Sequence, residues 1–296
     1  VSCAIPQEAV DTLFELLDAD AFTPTSWFDV ETQQCRVDVF LEDPAQVSAV
    51  TEMLAKAGEL CGLTLNPTAT TLDHADWAEV WKRFFHTERI SDRIVVRPSW
   101  EPYDAQPGER VITLDPGLSF GTGKHATTQG CLQLLDRLAA ENPARSVLDM
   151  GCGSGILAIG AALLGFTDVR GFDNDPDCKT VSEENAAANN VRIPFETDDL
   201  THTHGPADIV VANILAPVLI RFAPQVAGSL THTPHARLIL SGILDEQYPA
   251  VKTAYEAHGL TEALTLLLGE WRTGLFAWER THVLPKISSD AATRLP

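Results

Sequence analysis

The sequence predicts an α/β fold: a doubly wound, mostly parallel sheet with a small α+β domain ahead of it. Three stretches carry that prediction. Residues 146–155, SVLDMGCGSG, form a short apolar run ending in Asp149, then glycines alternating at 151, 153 and 155, then an apolar helix over 156–164. Residues 169–172 read as the next strand and deliver Asp173 at its end, with Asn174 and Asp175 behind it. Residues 208–212, DIVVA, form a buried strand that delivers Asn213. A strand, a glycine turn and a helix make the front half of a nucleotide-binding βαβ unit. Gly151, Gly153 and Gly155 allow a sharp turn and let a ligand approach main-chain N–H groups that a Cβ would block.

Taken in order, residues 1–67 read as the small α+β domain. Apolar positions 10, 13, 14, 16 and 17 mark one helical face over 6–18. Two strands follow, over 25–30 and 35–41. Asp43 and Pro44 open a further helix, since aspartate caps and proline suits the first turn. This domain has no glycine-rich site, which points to recognition or docking, with a structural appendage as the alternative. Residues 68–80 read as a linker, 81–285 as the catalytic domain and 286–296 as a frayed tail. Trp77 and Trp81 share a helical face and are assigned to packing.

Within the large domain, strands are expected over 94–96 and 111–114. The stretch 115–128, DPGLSFGTGKHATT, is the second informative one. Its glycine-rich loop runs into a helix that Thr127 and Thr128 are expected to cap, an arrangement that suits a carboxylate. His125 is read as a hydrogen-bonded loop residue. After the glycine unit come a helix over 178–190 and a third strand over 193–196. Asp198 and Asp199 follow, either of which can accept a hydrogen bond from an adenine amino group. A helix over 217–230, a strand over 237–241, a helix over 247–258 and an antiparallel pair over 264–268 and 274–278 complete the pattern. Ligands of open α/β sheets gather at the carboxyl ends of strands. There Asp173 can receive the hydroxyls of a ribose, and Asn213 is the best candidate for orienting an acceptor.

Composition narrows the functional classes. The 296 residues are 45% hydrophobic, enough for a sizeable core, and no apolar run reaches the roughly 20 residues needed to cross a bilayer. The start, VSCAIPQEAV, lacks the basic and apolar regions of a signal peptide, and six scattered cysteines without a CxxC pair fit a cytoplasmic, reducing setting. Lys plus Arg number 21 against 41 Asp plus Glu, a formal charge of −20. That argues against direct nucleic-acid binding and is compatible with a basic protein partner, or with solubility alone. Cys152 is read as packing. His202, His204, His232 and His235 stand in Thr- and Pro-rich segments with no acid or cysteine arranged around them, so no metal site is expected.

Together DPGLSFGTGKHATT, LDMGCGSGILAIGAA, GFDNDP and VVANILAPVL resemble the ribosomal protein L-eleven methyltransferase family. The resemblance spans most of the chain. It implies a seven-stranded methyltransferase sheet, S-adenosyl-L-methionine as cofactor, and methylation of lysine side-chain or N-terminal amino groups on a basic ribosomal protein by a monomer. By the same resemblance Thr128, Gly151, Asp173 and Asn213 contact the cofactor or frame the reacting centre, with Asp149, Gly153, Gly155, Asn174 and Asp198 beside them. Phe120, Gly121, Thr122 and Gly123 close over it, and the small domain grips the substrate. Lys124 departs from the family pattern, where Thr is more usual.

Three other readings compete. One is an enzyme of the same fold acting on another lysine-bearing protein. Base and glutamine enzymes are disfavoured because Asn213 is followed by Ile-Leu-Ala rather than Pro-Pro-aromatic. A nicotinamide-dependent oxidoreductase is disfavoured by glycines spaced G-x-G-x-G rather than G-x-G-x-x-G. A non-catalytic binding module is disfavoured by the intact glycines together with Asp173 and Asn213.

Overall fold

Apolar runs bounded by glycine, proline and acidic residues set the strands, and the side-chain period of two sends alternate residues to opposite faces. The computed structural model describes residues 1–6, 9–10, 24–29, 34–41, 43–70, 85–115, 123 and 125–279. The chain divides into two compact units, Val1–Val80 and Trp81–Pro296.

In the first unit, β1 (Ser2–Ile5), β2 (Pro24–Asp29) and β3 (Gln34–Val39) form an antiparallel sheet in the order β1-β3-β2. Helix α1 (Val47–Leu60) lays Val50, Leu54 and Ala57 against Cys3, Ile5, Val37 and Val39. Asp43 caps the turn before it by accepting from the Ala45 N–H at 2.9 Å. Thr68 returns to Ser2 through two reciprocal backbone bonds of 2.8 Å, closing the unit. The helix expected over 6–18 and the Trp77–Trp81 pairing fall largely outside the described residues.

The second unit begins with β4 (Glu88–Arg89), β5 (Ile94–Arg97) and β6 (Arg110–Thr113), a small sheet in that order. Helix α2 (Ala126–Glu141) leads into β7 (Ser146–Met150), α3 (Ile156–Leu163), β8 (Asp168–Asp173), α4 (Pro176–Ala188), β9 (Phe195–Thr197) and β10 (Ile209–Asn213). Then come α5 (Ala216–Arg221), α6 (Ala223–Gly228), β11 (Arg237–Leu244), α7 (Tyr248–Glu256), β12 (Leu260–Leu268) and β13 (Trp271–Trp278). The seven-stranded sheet has the order β9-β8-β7-β10-β11-β13-β12. Its first five strands pair in parallel, and β13 and β12 close it antiparallel. Val147, Ile209, Val211 and Ile239 pack with α2 and α3 on one face. Leu148, Met150, Val210, Ala212, Leu238 and Leu240 pack with α5, α6 and α7 on the other. Strands buried on both faces read as continuous apolar runs, which is why the sequence shows them.

Local corrections have physical causes. The single helix expected over 217–230 is two, broken at Phe222, whose φ of −106° and ψ of 19° leave the helix. Pro224 has no N–H and its ring would clash with the carbonyl four residues back, so it starts a helix rather than continuing one. The third strand begins at Phe195 rather than 193, after Pro194. The fourth helix starts at Pro176 rather than 178, because Asp175 caps it. Among the described residues no helix is long and apolar enough to cross a membrane.

Candidate active site

The glycine turn is built by backbone geometry. Gly151, Gly153 and Gly155 have φ of 70°, 52° and 77°, a region that disfavours side chains. The Phe172 carbonyl in β8 accepts from the N–H groups of Gly151 at 2.9 Å and Cys152 at 3.0 Å, tying the turn to the neighbouring strand. A Cβ on Gly151 would lie 2.7 Å from Ile214 Cγ2, and one on Gly155 would lie 2.8 Å from Ser182 Cβ. The first contact shows how closely the residue after Asn213 approaches the turn.

Asp173 is half-buried, and backbone donors hold both carboxylate oxygens. Gly153 N–H donates to Oδ2 at 2.9 Å and Asp175 N–H to Oδ1 at 3.0 Å. Asn174 is exposed in the turn beyond it. The Asp198 N–H donates to the Asp173 carbonyl at 3.0 Å, which brings the end of β9 alongside. Asp199 is exposed and turned onto its own loop, where its Oδ1 accepts from Thr201 N–H at 2.8 Å and Thr201 Oγ1 at 2.5 Å. Those bonds pull its carboxyl below the ordinary range. Asp198 has different neighbours: its Oδ2 lies 3.3 Å from His202 Nε2 and 3.8 Å from His204 Nδ1. The expectation that no acid accompanies these histidines is therefore corrected. The backbone folds back over six residues, which no linear spacing rule anticipates.

Asp149 ends its run inside the protein, 1% exposed. Its Oδ2 accepts from Ala158 N–H at 3.1 Å, while Oδ1 is buried without a partner. Burial pushes its carboxyl up to about 7, partly opposed by the Ala158 bond and reinforced by the charge of Asp173. Burial also pushes the Cys152 thiol far above its ordinary value, and Cys178 up to about 11, with Asp173, Asp175 and Asp177 adding to the latter. Neither thiol is an activated nucleophile, which requires a lowered pKa.

The start of α2 supplies the opposite wall. His125, rather than Thr127 or Thr128, is its N-cap, with Nδ1 accepting from Thr127 N–H at 3.4 Å. The helix starts one residue earlier than the threonines require, and both are buried in its first turn. The Thr127 carbonyl accepts from Ser241 Oγ at 3.2 Å, and that oxygen lies 2.7 Å from Thr273 Oγ1. Ser241 is the register partner of Asn213, so this network seats the start of α2 at the carboxyl end of β10. Thr128 Oγ1 and Asn213 Oδ1 are both buried without partners. Gly123, with φ of 82°, packs where a Cβ would meet Val96 and Ile156. Phe120, Gly121, Thr122 and Lys124 lie outside the described residues. Ahead of them Asp115 is pinned, its carboxylate accepting from Ser99 N–H at 2.6 Å and Ser99 Oγ at 2.7 Å.

Most buried polar groups in folded proteins have partners; Thr128 Oγ1, Asp149 Oδ1 and Asn213 Oδ1 lack them at the start of α2 and the carboxyl ends of β7 and β10, and Gln225 Oε1 and Arg237 Nε lack them elsewhere. With the glycine turn and Asp173, the first three form a polar rim on one end of an apolar sheet. Sequence reading missed Ser241, although it breaks the apolar run RLILS at the same strand end as Asn213 does in its own. Thr273, inside the last strand, carries no such signal.

A family model described as Ribosomal protein L11 methyltransferase (PrmA) matches residues 10–276. A Ribosomal protein L11 methyltransferase of Geobacter metallireducens is 36% identical over 293 residues, covering 93% of this chain and 96% of that protein. One of Desulforapulum autotrophicum is 43% identical over 220 residues, covering 73% and 71%. Among solved structures, a ribosomal protein L11 methylase from Lactobacillus delbrueckii subsp. bulgaricus is 34% identical with a TM-score of 0.61. The match covers 67% of this chain and all of that one.

Proposed function

Because this chain belongs to the ribosomal protein L11 methyltransferase family, we propose that it methylates lysine side-chain and N-terminal amino groups of ribosomal protein L11 in the cytoplasm. It is an S-adenosylmethionine-dependent methyltransferase. When bound, that cofactor supplies a methyl group made electrophilic by its sulfonium. The residues fit it: Thr128 Oγ1, Asp149 Oδ1 and Asn213 Oδ1 are buried polar atoms without protein partners, beside a glycine turn held at positive φ. Asp173, pre-oriented by two backbone donors, would receive the ribose hydroxyls. Asp198 takes the adenine edge and Thr128 and Asp149 the methionine end, with Asn174 at the rim.

Asn213 carries the proposal. Its Oδ1 is a buried acceptor without a partner, at a strand end where acceptors gather. An amine must be neutral to attack, whereas an unperturbed lysine has a pKa of about 10.4. A carbonyl oxygen that accepts an N–H from the incoming amine aims its lone pair at the methyl group. No side chain need become a nucleophile, so positioning is the protein's main contribution, worth up to roughly 7–11 kcal/mol in favourable cases.

The acidic surface, with a net charge of −20, favours encounter with a basic protein over nucleic acid, and the small N-terminal unit is its docking element. The test is calorimetric titration with S-adenosylmethionine and with NAD, followed by methyl transfer to purified L11 read by intact mass. Binding of the methyl donor alone and methylated L11 are expected. Transfer to a different ribosomal protein with L11 untouched would overturn the substrate assignment.

A further inference from the structure

Asp198, His202 and His204 bring three metal-ligating atoms within 4.8 Å of one another, the one such group among the described residues. We propose that they form a site for a single divalent transition-metal ion of zinc-like chemistry, with the fourth coordination position open.

The distances suit such an ion. A tetrahedral metal with ligand bonds of roughly 2.0–2.1 Å sets its donors about 3.3 Å apart. Of the three donor pairs, Asp198 Oδ2 is 3.3 Å from His202 Nε2, at the required separation, and 3.8 Å from His204 Nδ1, while the two histidine nitrogens lie within 4.8 Å, so the last two pairs need to close onto the ion. Two imidazole nitrogens and one carboxylate oxygen select borderline ions such as zinc, cobalt or nickel over calcium or magnesium, which take oxygen sets.

The surrounding contacts orient the ligands as metal sites do. His204 Nε2 lies 2.8 Å from the Asp199 carbonyl and donates to it, which leaves Nδ1 with a lone pair directed at Asp198. In the neutral ring that nitrogen and the carboxylate both offer lone pairs, which a metal ion between them can accept. The His204 ring stacks on buried Phe172, with centroids 3.9 Å apart and planes at 17°, and the His204 backbone N–H donates to Ser229 Oγ at 3.0 Å. His202 lies 4.6 Å from that ring, at the exposed mouth of the site, and its Nδ1 is 4.0 Å from Asp199 Oδ1. That second carboxylate is fixed by Thr201 and can take the outer N–H of a metal-bound His202.

The full chain, free of cofactor, is titrated with zinc by calorimetry and with cobalt by visible absorption, whose band intensity reports four-coordination. One ion per chain is expected. His202→Ala and His204→Ala should each weaken binding at least about 10–100-fold, the loss typical even of outer partners. His258→Ala serves as the control and should leave it unchanged. His202 is exposed, so its replacement does not threaten the fold, and metal-free melting curves check His204→Ala. Lack of saturable binding at one equivalent would overturn the site. So would binding that survives both histidine replacements, or binding that Cys178→Ser abolishes. Omitting cofactor keeps the result independent of whether Asp198 also meets adenine.

Discussion

Gly153 donates its backbone N–H to Asp173 Oδ2 at 2.9 Å, across 20 residues of sequence. The bond joins the glycine turn after β7 to the acid at the end of β8, so the two halves of the nucleotide signature hold one another in place. Replacing Asp173 by Ala removes the proposed ribose acceptor and leaves two backbone donors without their partner. Loss of hydrogen bonds to a charged group costs about 1.5–3 kcal/mol, so the dissociation constant for S-adenosylmethionine should rise roughly 10–150-fold. Calorimetry reads the change, and unchanged affinity in a folded variant would remove Asp173 from the site.

Asn213→Ala separates positioning from cofactor binding. Misplacing the acceptor amine by about 1 Å is worth about 10²-fold in rate, so kcat on L11 should fall by that order. Cofactor affinity should change far less. Full turnover with unchanged cofactor affinity would show that Asn213 does not orient the amine.

Asp149 predicts a pH dependence of stability. Its folded-state pKa of about 7 lies above its ordinary 3.8, so between those values the native state keeps a proton that the unfolded state has lost. Stability therefore falls as pH rises through that window and levels off above about 7, the penalty reaching at most roughly 4 kcal/mol. Asp149→Asn lacks this term. Its melting temperature relative to the natural chain should climb from pH 5 to pH 8, and a pH-independent difference would contradict the assignment.

Gly155→Ala tests the packing of the glycine turn by stability alone. Alanine would be strained at a φ of 77°, and its Cβ would meet Ser182 Cβ at 2.8 Å. A loss of about 1–3 kcal/mol is expected in denaturant unfolding. The same replacement at Gly108 meets nothing within 4 Å despite a φ of 92°, so it should cost less.

Much of the fold is legible in the chain because parallel strands covered on both faces must be apolar throughout. Residues 147–148, 209–212 and 238–240 are such runs, and each lies in a strand of the central sheet. Helix boundaries were less legible. Pro217 and Pro224 both suit a first turn, and which of them interrupts a longer helix depends on how α5 and α6 pack against β11 and α7. The cap of α2 was misread for a similar reason. Thr127 and Thr128 have good capping side chains, yet both are buried against the sheet, leaving His125 to receive the Thr127 N–H.

By itself the sequence determined the order of elements, the glycine turn and the acids and amide at the strand ends. Those features depend on backbone conformation and periodicity, which neighbouring residues largely decide. Only the tertiary structure decided which polar atoms lose water without gaining a partner, Thr128 Oγ1, Asp149 Oδ1 and Asn213 Oδ1 among them. It also decided that Asp198 lies within 4 Å of both His202 and His204. Burial and hydrogen-bond satisfaction are set by the elements packed around an atom, often a hundred residues away, as Ser241 Oγ on the Thr127 carbonyl illustrates. No local pattern encodes them.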